Sequence, residues 1–252
     1  MIFNYFILLM ESIDNKNKIY SKKDETFINE KIIQIHNVLK IKHGTFKEEL
    51  PEQRMAIRYF SGNEKILEIG GSIGRNAMVM NYIQKEKNNI GNLVTLESNP
   101  LKISMLKENR ELNNLNFHIE NAALSKTQII QKGEQTFKHN PDNKIPRGFK
   151  QINTITFEEL YEKYNIQFNA LVIDCEGAFF YILKESPNIL NGIEIIIMEN
   201  DYTKVNHKEF VDNILLENGF YIDYTESLIG HDKYHFHFRK NFFEVWLRKE
   251  TI

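Results

Sequence analysis

The chain has 252 residues, enough for one catalytic domain with a modest extension, and its 42% hydrophobic and 26% charged content is that of a folded globular protein. A formal charge of −2 excludes a global attraction to nucleic acid, and the single cysteine, Cys175, excludes an intramolecular disulfide. No nucleic-acid partner is therefore expected, and nothing requires an oxidising compartment.

Residues 1–10 are apolar but fall short of the roughly 20 residues that cross a bilayer, and they lack the opening positive charge of a secretory signal. A packed strand or helix is expected there, in a soluble, cytoplasmic chain without a membrane span. Residues 1–63 read as a polar, helical N-terminal extension. Phe27, Ile28, Ile32, Ile35, Val38 and Leu39 recur at helical spacing and predict one buried face. Pro51 is placed to open a second helix carrying Met55, Ile57 and Phe60.

From residue 64 to 252 short apolar runs alternate with amphipathic stretches, the pattern of a parallel sheet flanked by helices. Strands are expected at 65–69, 93–97, 116–119, 170–174, 193–199, 220–223 and 242–248. Helices are expected at 76–85, 100–113, 157–164, 178–189 and 207–218. Thr156 with Glu159 forms a capping box, and Gly219 is placed to end the last helix. The final two strands lack an intervening helical pattern, which predicts an antiparallel pair. The fold class is thus α/β, a seven-stranded, mostly parallel sheet with an antiparallel last strand and helices on both faces. Residues 125–151 are polar, with Gly133, Pro141, Pro146 and Gly148, and read as a long loop serving as a lid or substrate loop.

The strongest local signal is Glu68-Ile69-Gly70-Gly71-Ser72-Ile73-Gly74, where an apolar strand runs into a glycine turn and then a helix. Glycines allow a ligand close to the main chain, and a helix N-terminus offers unpaired N–H groups. A dinucleotide loop would place glycine first, third and sixth; counted from Gly70, the last two are Ser72 and Arg75. No Gly-Lys-Ser/Thr phosphate loop follows. An acid two residues before the first glycine suits a ligand with an ammonium group better than a pyrophosphate. Glu97, closing the second strand beside Ser98, can take both hydroxyls of a ribose, because two acceptor oxygens match a vicinal diol. Beyond the third strand, Asn121 and Ala122 stand where an adenine edge would be read, or where the chain simply turns.

These residues resemble the FkbM-type family of S-adenosylmethionine-dependent methyltransferases. The corresponding pieces are Glu68 with Gly70 and Gly74, then Glu97, then Asn121-Ala122-Ala123-Leu124-Ser125, and finally Asp174-Cys175-Glu176-Gly177, over about 65–199. Glu68 stands where many members carry aspartate, and Gly71-Ser72 replaces the commoner Ala-Asn. The resemblance implies a Rossmann-like class I methyltransferase fold and O-methylation of a sugar, glycan or small natural product. It implies S-adenosyl-L-methionine at Glu68, Gly70, Gly71, Ser72, Gly74, Glu97, Ser98, Asn121, Ala122 and Asp174. It names neither the acceptor nor the oligomeric state.

Ligands of open parallel sheets bind beyond the carboxyl ends of the strands, where Asp174, Glu176, Glu199 and Asn200 converge. Asp174 or Glu176 can accept a hydroxyl proton, with Glu199 alongside; alternatively Asp174, Glu199 and Asn200 hold a hard cation such as Mg²⁺ that lowers the hydroxyl pKa. Cys175 is expected to point into the core. His235 and His237 alternate with Tyr234, Phe236 and Phe238, so a strand there would align their imidazoles; with His231 they read as a solvated edge or a general base. The rival classes are a nicotinamide oxidoreductase, lacking its glycine pattern and Tyr-x-x-x-Lys pair, and a nucleic-acid methyltransferase, lacking a Pro-Pro element. A cofactor-fold binding module without catalysis is the third.

Overall fold

The computed structural model describes residues 23–133, 135–228 and 239–249. The described chain opens with α1 (Glu25–Val38) and α2 (Leu50–Tyr59), then alternates β1 (Ile66–Ile69), α3 (Arg75–Lys85), β2 (Leu93–Leu96), α4 (Pro100–Leu112) and β3 (His118–Glu120). Five short strands follow: β4 (Ala123–Leu124), β5 (Ile129–Lys132), β6 (Gln135–Lys138), β7 (Lys150–Ile152) and β8 (Thr154–Ile155). Alternation resumes with α5 (Phe157–Tyr164), β9 (Ala170–Ile173), α6 (Phe179–Glu185), β10 (Ile195–Glu199), α7 (Val205–Glu217), β11 (Phe220–Glu226) and β12 (Phe243–Arg248).

Strands with apolar residues at successive positions must be covered on both faces, and β1, β2 and β9 are buried throughout. They lie in a seven-stranded sheet of order β11-β12-β10-β9-β1-β2-β3. β12 runs antiparallel to both of its neighbours, and the pairs among β10, β9, β1, β2 and β3 are parallel. The expected architecture is therefore the observed one. Alternate residues feed two cores. Ile66, Val172 and Ile197 meet α1, α2 and α3 through Ile28, Met55 and Met78. Leu67, Leu171 and Ile196 meet α5, α6 and α7 through Leu160, Phe179 and Val211. Helices thus cover both faces.

The N-terminal stripe is narrower than expected. Ile28, Ile32, Ile35 and Leu39 are buried, whereas Phe27 and Val38 are exposed, one position off the i, i+4, i+7 line. The helix expected at 178–189 stops at Glu185, and a 3₁₀ turn over Pro187–Leu190 follows, because Pro187 has no N–H to continue the ladder.

Residues 125–151 are not one long loop. β5 pairs antiparallel with β6 and with β7, forming a separate three-stranded sheet, while β4 and β8 pair in parallel at its base. The Thr156 hydroxyl accepts the N–H of Glu159, whose carboxylate in turn accepts the N–H of Thr156. Thr156→Ala is expected to cost about 1 kcal/mol, read from urea unfolding midpoints. Among the described residues no helix is long and apolar enough to cross a membrane. Residues 1–10 and the histidines 231, 235 and 237 lie outside the described residues.

Candidate functional site

Because β1, β2, β9 and β10 run in parallel, their carboxyl ends share one edge of the sheet, where a cleft of about 520 Å³ opens. Its size is in the range of small-molecule sites. The glycine turn forms its floor. Gly70 and Gly71 both donate to the Leu96 carbonyl at 2.9 Å, and Gly74 closes the turn onto Gly71 at 2.7 Å. Gly70 (φ 97°) packs so closely on β9 that a Cβ would lie 1.6 Å from the Asp174 carbonyl oxygen. Gly74 (φ 92°) precedes α3, whose start has no side-chain cap. The turn residue Ser72 also adopts a positive φ, 47°.

Glu97 is braced by that turn. Its Oε2 accepts the Ser72 N–H at 2.9 Å and its Oε1 accepts the Asn99 N–H at 2.6 Å, so the carboxylate is fixed at the lip of the cleft. Ser98 and Ala122 line the same cleft. The Asn121 amide is committed to the chain, donating to the Glu97 and Ser98 carbonyls at 2.9 and 3.3 Å. Glu68 is buried beneath the turn opposite its cross-strand partner Thr95, and burial pushes its carboxyl up to about 7.

Three carboxyls meet at Asp174, the one of them that lines the cleft. Asp174 after β9, Glu199 at the end of β10 and Glu52 on α2 each place an oxygen within 4.8 Å of the others. Burial and mutual repulsion raise all three: Glu52 to about 8, Glu199 to about 11, and Asp174 well above the usual carboxylate range. The Glu52 carboxyl is wholly buried, and its one side-chain hydrogen-bond partner is the Glu199 carboxyl, a contact that requires a proton between them. The Asn200 Nδ2 donates to the Asn241 carbonyl at 2.6 Å, while its Oδ1, the atom that could ligate a cation, is buried without a hydrogen-bond partner. Glu176 (φ 53°) is exposed at the cleft. The adjacent Asp201 is pushed up to about 7 by burial and by Glu176. Cys175 packs against the second core while touching the cleft, and burial holds its thiol well above its ordinary range.

Glu49 and Glu52 were not foreseen, and both come from the N-terminal extension. Arg75, in the first turn of α3, donates to the Thr45 carbonyl at 2.8 Å and pairs with Glu48 and Glu49, pinning that segment over the glycine turn. The sequence carried little signal of this: α2 holds Glu52, Gln53, Arg54 and Arg58 among its ten residues and reads as an ordinary amphipathic helix, although the fold buries most of it. Lys102, Tyr181 and Phe137 also line the cleft, the last from β6.

No family model matches this chain, and no curated protein matches it in sequence. Among solved structures it is similar to the ribosomal protein L11 methylase of Lactobacillus delbrueckii subsp. bulgaricus, with 11% identity, a TM-score of 0.50, and 83% of this chain and 82% of that one covered. The fold is the Rossmann-like fold of class I methyltransferases. Two further structures with this methyltransferase fold are also similar. Aeropyrum pernix fibrillarin with natively bound S-adenosyl-L-methionine has 12% identity, a TM-score of 0.48, and 80% and 75% coverage. Methyltransferase FkbM from Methylobacillus flagellatus has 12% identity, a TM-score of 0.49, and 84% coverage of this chain but 49% of that one. FkbM is thus one of several such neighbours, at identities that show the fold and not the subfamily.

Proposed function

We propose that this chain is an S-adenosylmethionine-dependent methyltransferase acting on a hydroxyl oxygen of a sugar, glycan or natural product. The observation that carries the reading is the charge of the cleft together with the braced Glu97. Glu49, Glu97, Asp174, Glu176 and Glu185 face it against Lys102 and Lys138. Burial favours the neutral form of Glu49 and Asp174, and Lys138 pairs with Glu185, so the acids that offer charge to a sulfonium or ammonium group are Glu97 and Glu176. Glu97, fixed by two backbone N–H groups, presents two oxygens to a ribose diol, and Gly70 lets the turn pack directly on the Asp174 main chain, which makes the floor rigid. The residues present therefore fit the cofactor.

When bound, the cofactor supplies an activated methyl group whose S–CH₃ bond breaks, electrons leaving to sulfur, as the O–CH₃ bond forms. The chain's task is to position the hydroxyl in line and receive its proton. The oxygens of Asp174, Glu52 and Glu199 form that acceptor: three carboxyls this close share protons and retain at least one basic oxygen as pH rises. The same three oxygens also fit a hard cation such as Mg²⁺, since the donor set is all carboxylate and Glu52 lacks any other partner. Such an ion would lower the hydroxyl pKa; dialysis against EDTA and readdition of Mg²⁺ in a turnover assay tests that second reading.

Calorimetric titration with S-adenosylmethionine and S-adenosylhomocysteine tests the first. Saturable binding is expected, weakened at least about tenfold in Glu97→Ala, the size of a lost charged hydrogen bond of about 1.5–3 kcal/mol. A folded sample that binds neither ligand would leave a cofactor-fold binding module without catalysis as the better account.

A further inference from the structure

We propose that the acceptor hydroxyl is presented by single-stranded RNA, held on the β5–β6–β7 sheet beside the cleft. The acceptor role rests on the methyl-transfer reading above; the binding does not.

The first observation is a segregation of charge. Residues 125–151 carry six basic residues (Lys126, Lys132, Lys138, Lys144, Arg147 and Lys150) against Glu134 and Asp142, a balance of +4, while the whole chain stands at −2; the remainder is therefore at −6. Lys126 and Lys138 are paired with Glu158 and Glu185. Among the described residues no salt bridge holds Lys132, Lys144, Arg147 or Lys150, all of them exposed. Four exposed cations, two on the sheet and two on the connection between β6 and β7, favour a ligand with several negative charges.

The second observation is a run of rings among those cations. Phe137 on β6 is 53% exposed, and its ring meets Phe149 edge-on at 5.6 Å, with the Lys132 ammonium 5.9 Å from the Phe149 centroid. Next along β6, and on the opposite face of that strand, Lys138 lies 5.9 Å from the ring of Tyr181, itself 45% exposed, which contacts the parallel Phe180–His207 stack. An exposed ring pair with an ammonium group beside it suits stacked nucleobases flanked by phosphates, the means by which single strands are gripped without reading sequence.

The third is continuity. Phe137, Lys138 and Tyr181 line the cleft as well as the track. A strand seated on the sheet therefore passes the mouth of the site, where a ribose hydroxyl can enter toward Asp174. The acids stay on the cofactor side, and the facing Glu185 is neutralised by Lys138 at 2.5 Å.

Fluorescence anisotropy of the full chain with labelled 12-nucleotide oligouridylate and oligoadenylate tests this. Binding to both is expected, with log Kd rising with log salt at a slope near 3, about 0.7 for each of four phosphate contacts. The double variant Lys132→Glu, Arg147→Glu should bind at least tenfold more weakly with a shallower slope, while its S-adenosylmethionine titration, run on the same sample, stays as in the wild type. Phe137→Ala should lose about fivefold or more at unchanged salt slope, because it removes stacking and not charge. No RNA binding, or equal binding by both variants, would overturn the proposal. So would heparin competing as well as RNA of equal charge, which would identify a sulfated glycan surface. A sample that binds RNA but not S-adenosylmethionine would instead sink the methyl-transfer reading and leave the RNA surface standing.

Discussion

Replacing Glu52 with glutamine is expected to raise the thermal midpoint at pH 8 by about 5–10 °C, the equivalent of about 2–3 kcal/mol in a domain of this size, and to change it little at pH 5. The sign follows from where the proton sits. In the folded chain Glu52 holds its proton up to about pH 8, because it is buried between Glu199, Asp174 and Glu49; in the unfolded chain it releases it near 4.5. Between those values the folded state binds a proton that the unfolded state does not, so stability falls as pH rises. Below about 4.5 the contribution is fully present, and through pH 8 it is lost. Glutamine has no proton to lose and can donate to Glu199. The wild-type midpoint, measured in EDTA, should therefore fall from pH 5 to pH 8 while that of Glu52→Gln falls less. Parallel curves would show that the three carboxyls do not share protons. If Mg²⁺ is held there, its addition at pH 8 lifts the wild type and not the variant, since the ion replaces the missing protons. Turnover should follow the same groups, rising with pH through about 8 as the cluster acquires a basic oxygen.

Which parts of this molecule could be read from its sequence follows from what each part buries. β1, β2, β9 and β10 announce themselves because both of their faces are covered, and an apolar run records that directly. The β5–β7 sheet does not, since β6 is exposed at every position and no alternation of apolar and polar survives when neither face enters a core. Its turn residues Gly133, Pro141 and Pro146 then read as a loop. At the site, Asp174 and Glu199 are legible because strand ends in a parallel sheet must gather on one edge. Asn200, next to Glu199 in sequence, reads as a further member; its amide nitrogen is held by the Asn241 carbonyl and its Oδ1 is buried without a partner. The true third carboxyl, Glu52, sits 122 positions before Asp174 on a helix, and no spacing rule connects them. Net charge hides placement in the same manner: −2 is a sum over residues 125–151 at +4 and a remainder at −6, and only the structure separates them.

Gly70→Ala is expected to be the most damaging single change, leaving a chain that either fails to fold or loses about 4 kcal/mol or more, together with cofactor binding. Two penalties act at this position and a second glycine separates them. Gly70 and Gly219 both hold positive φ, 97° and 81°. A side chain at Gly219 would meet nothing within 4 Å, so Gly219→Ala carries only the backbone term, about 1–2 kcal/mol. At Gly70 the added Cβ would lie 1.6 Å from the Asp174 carbonyl oxygen and 2.6 Å from its carbon, both main-chain atoms. No side chain can rotate away to relieve that contact. Relief would require β1 and β9 to part at their carboxyl ends, breaking the 3.0 Å bond from the Asp174 N–H to the Ile69 carbonyl and the pair of bonds from Gly70 and Gly71 to Leu96. The same movement would carry Ser72 away from Glu97 and Asp174 away from Glu199, so both halves of the site fail together. Urea unfolding of the two variants should therefore differ by at least about 2 kcal/mol, the steric part alone. Equal midpoints would mean that the ends of β1 and β9 yield easily, and that the rigid floor on which the cofactor reading stands is not there.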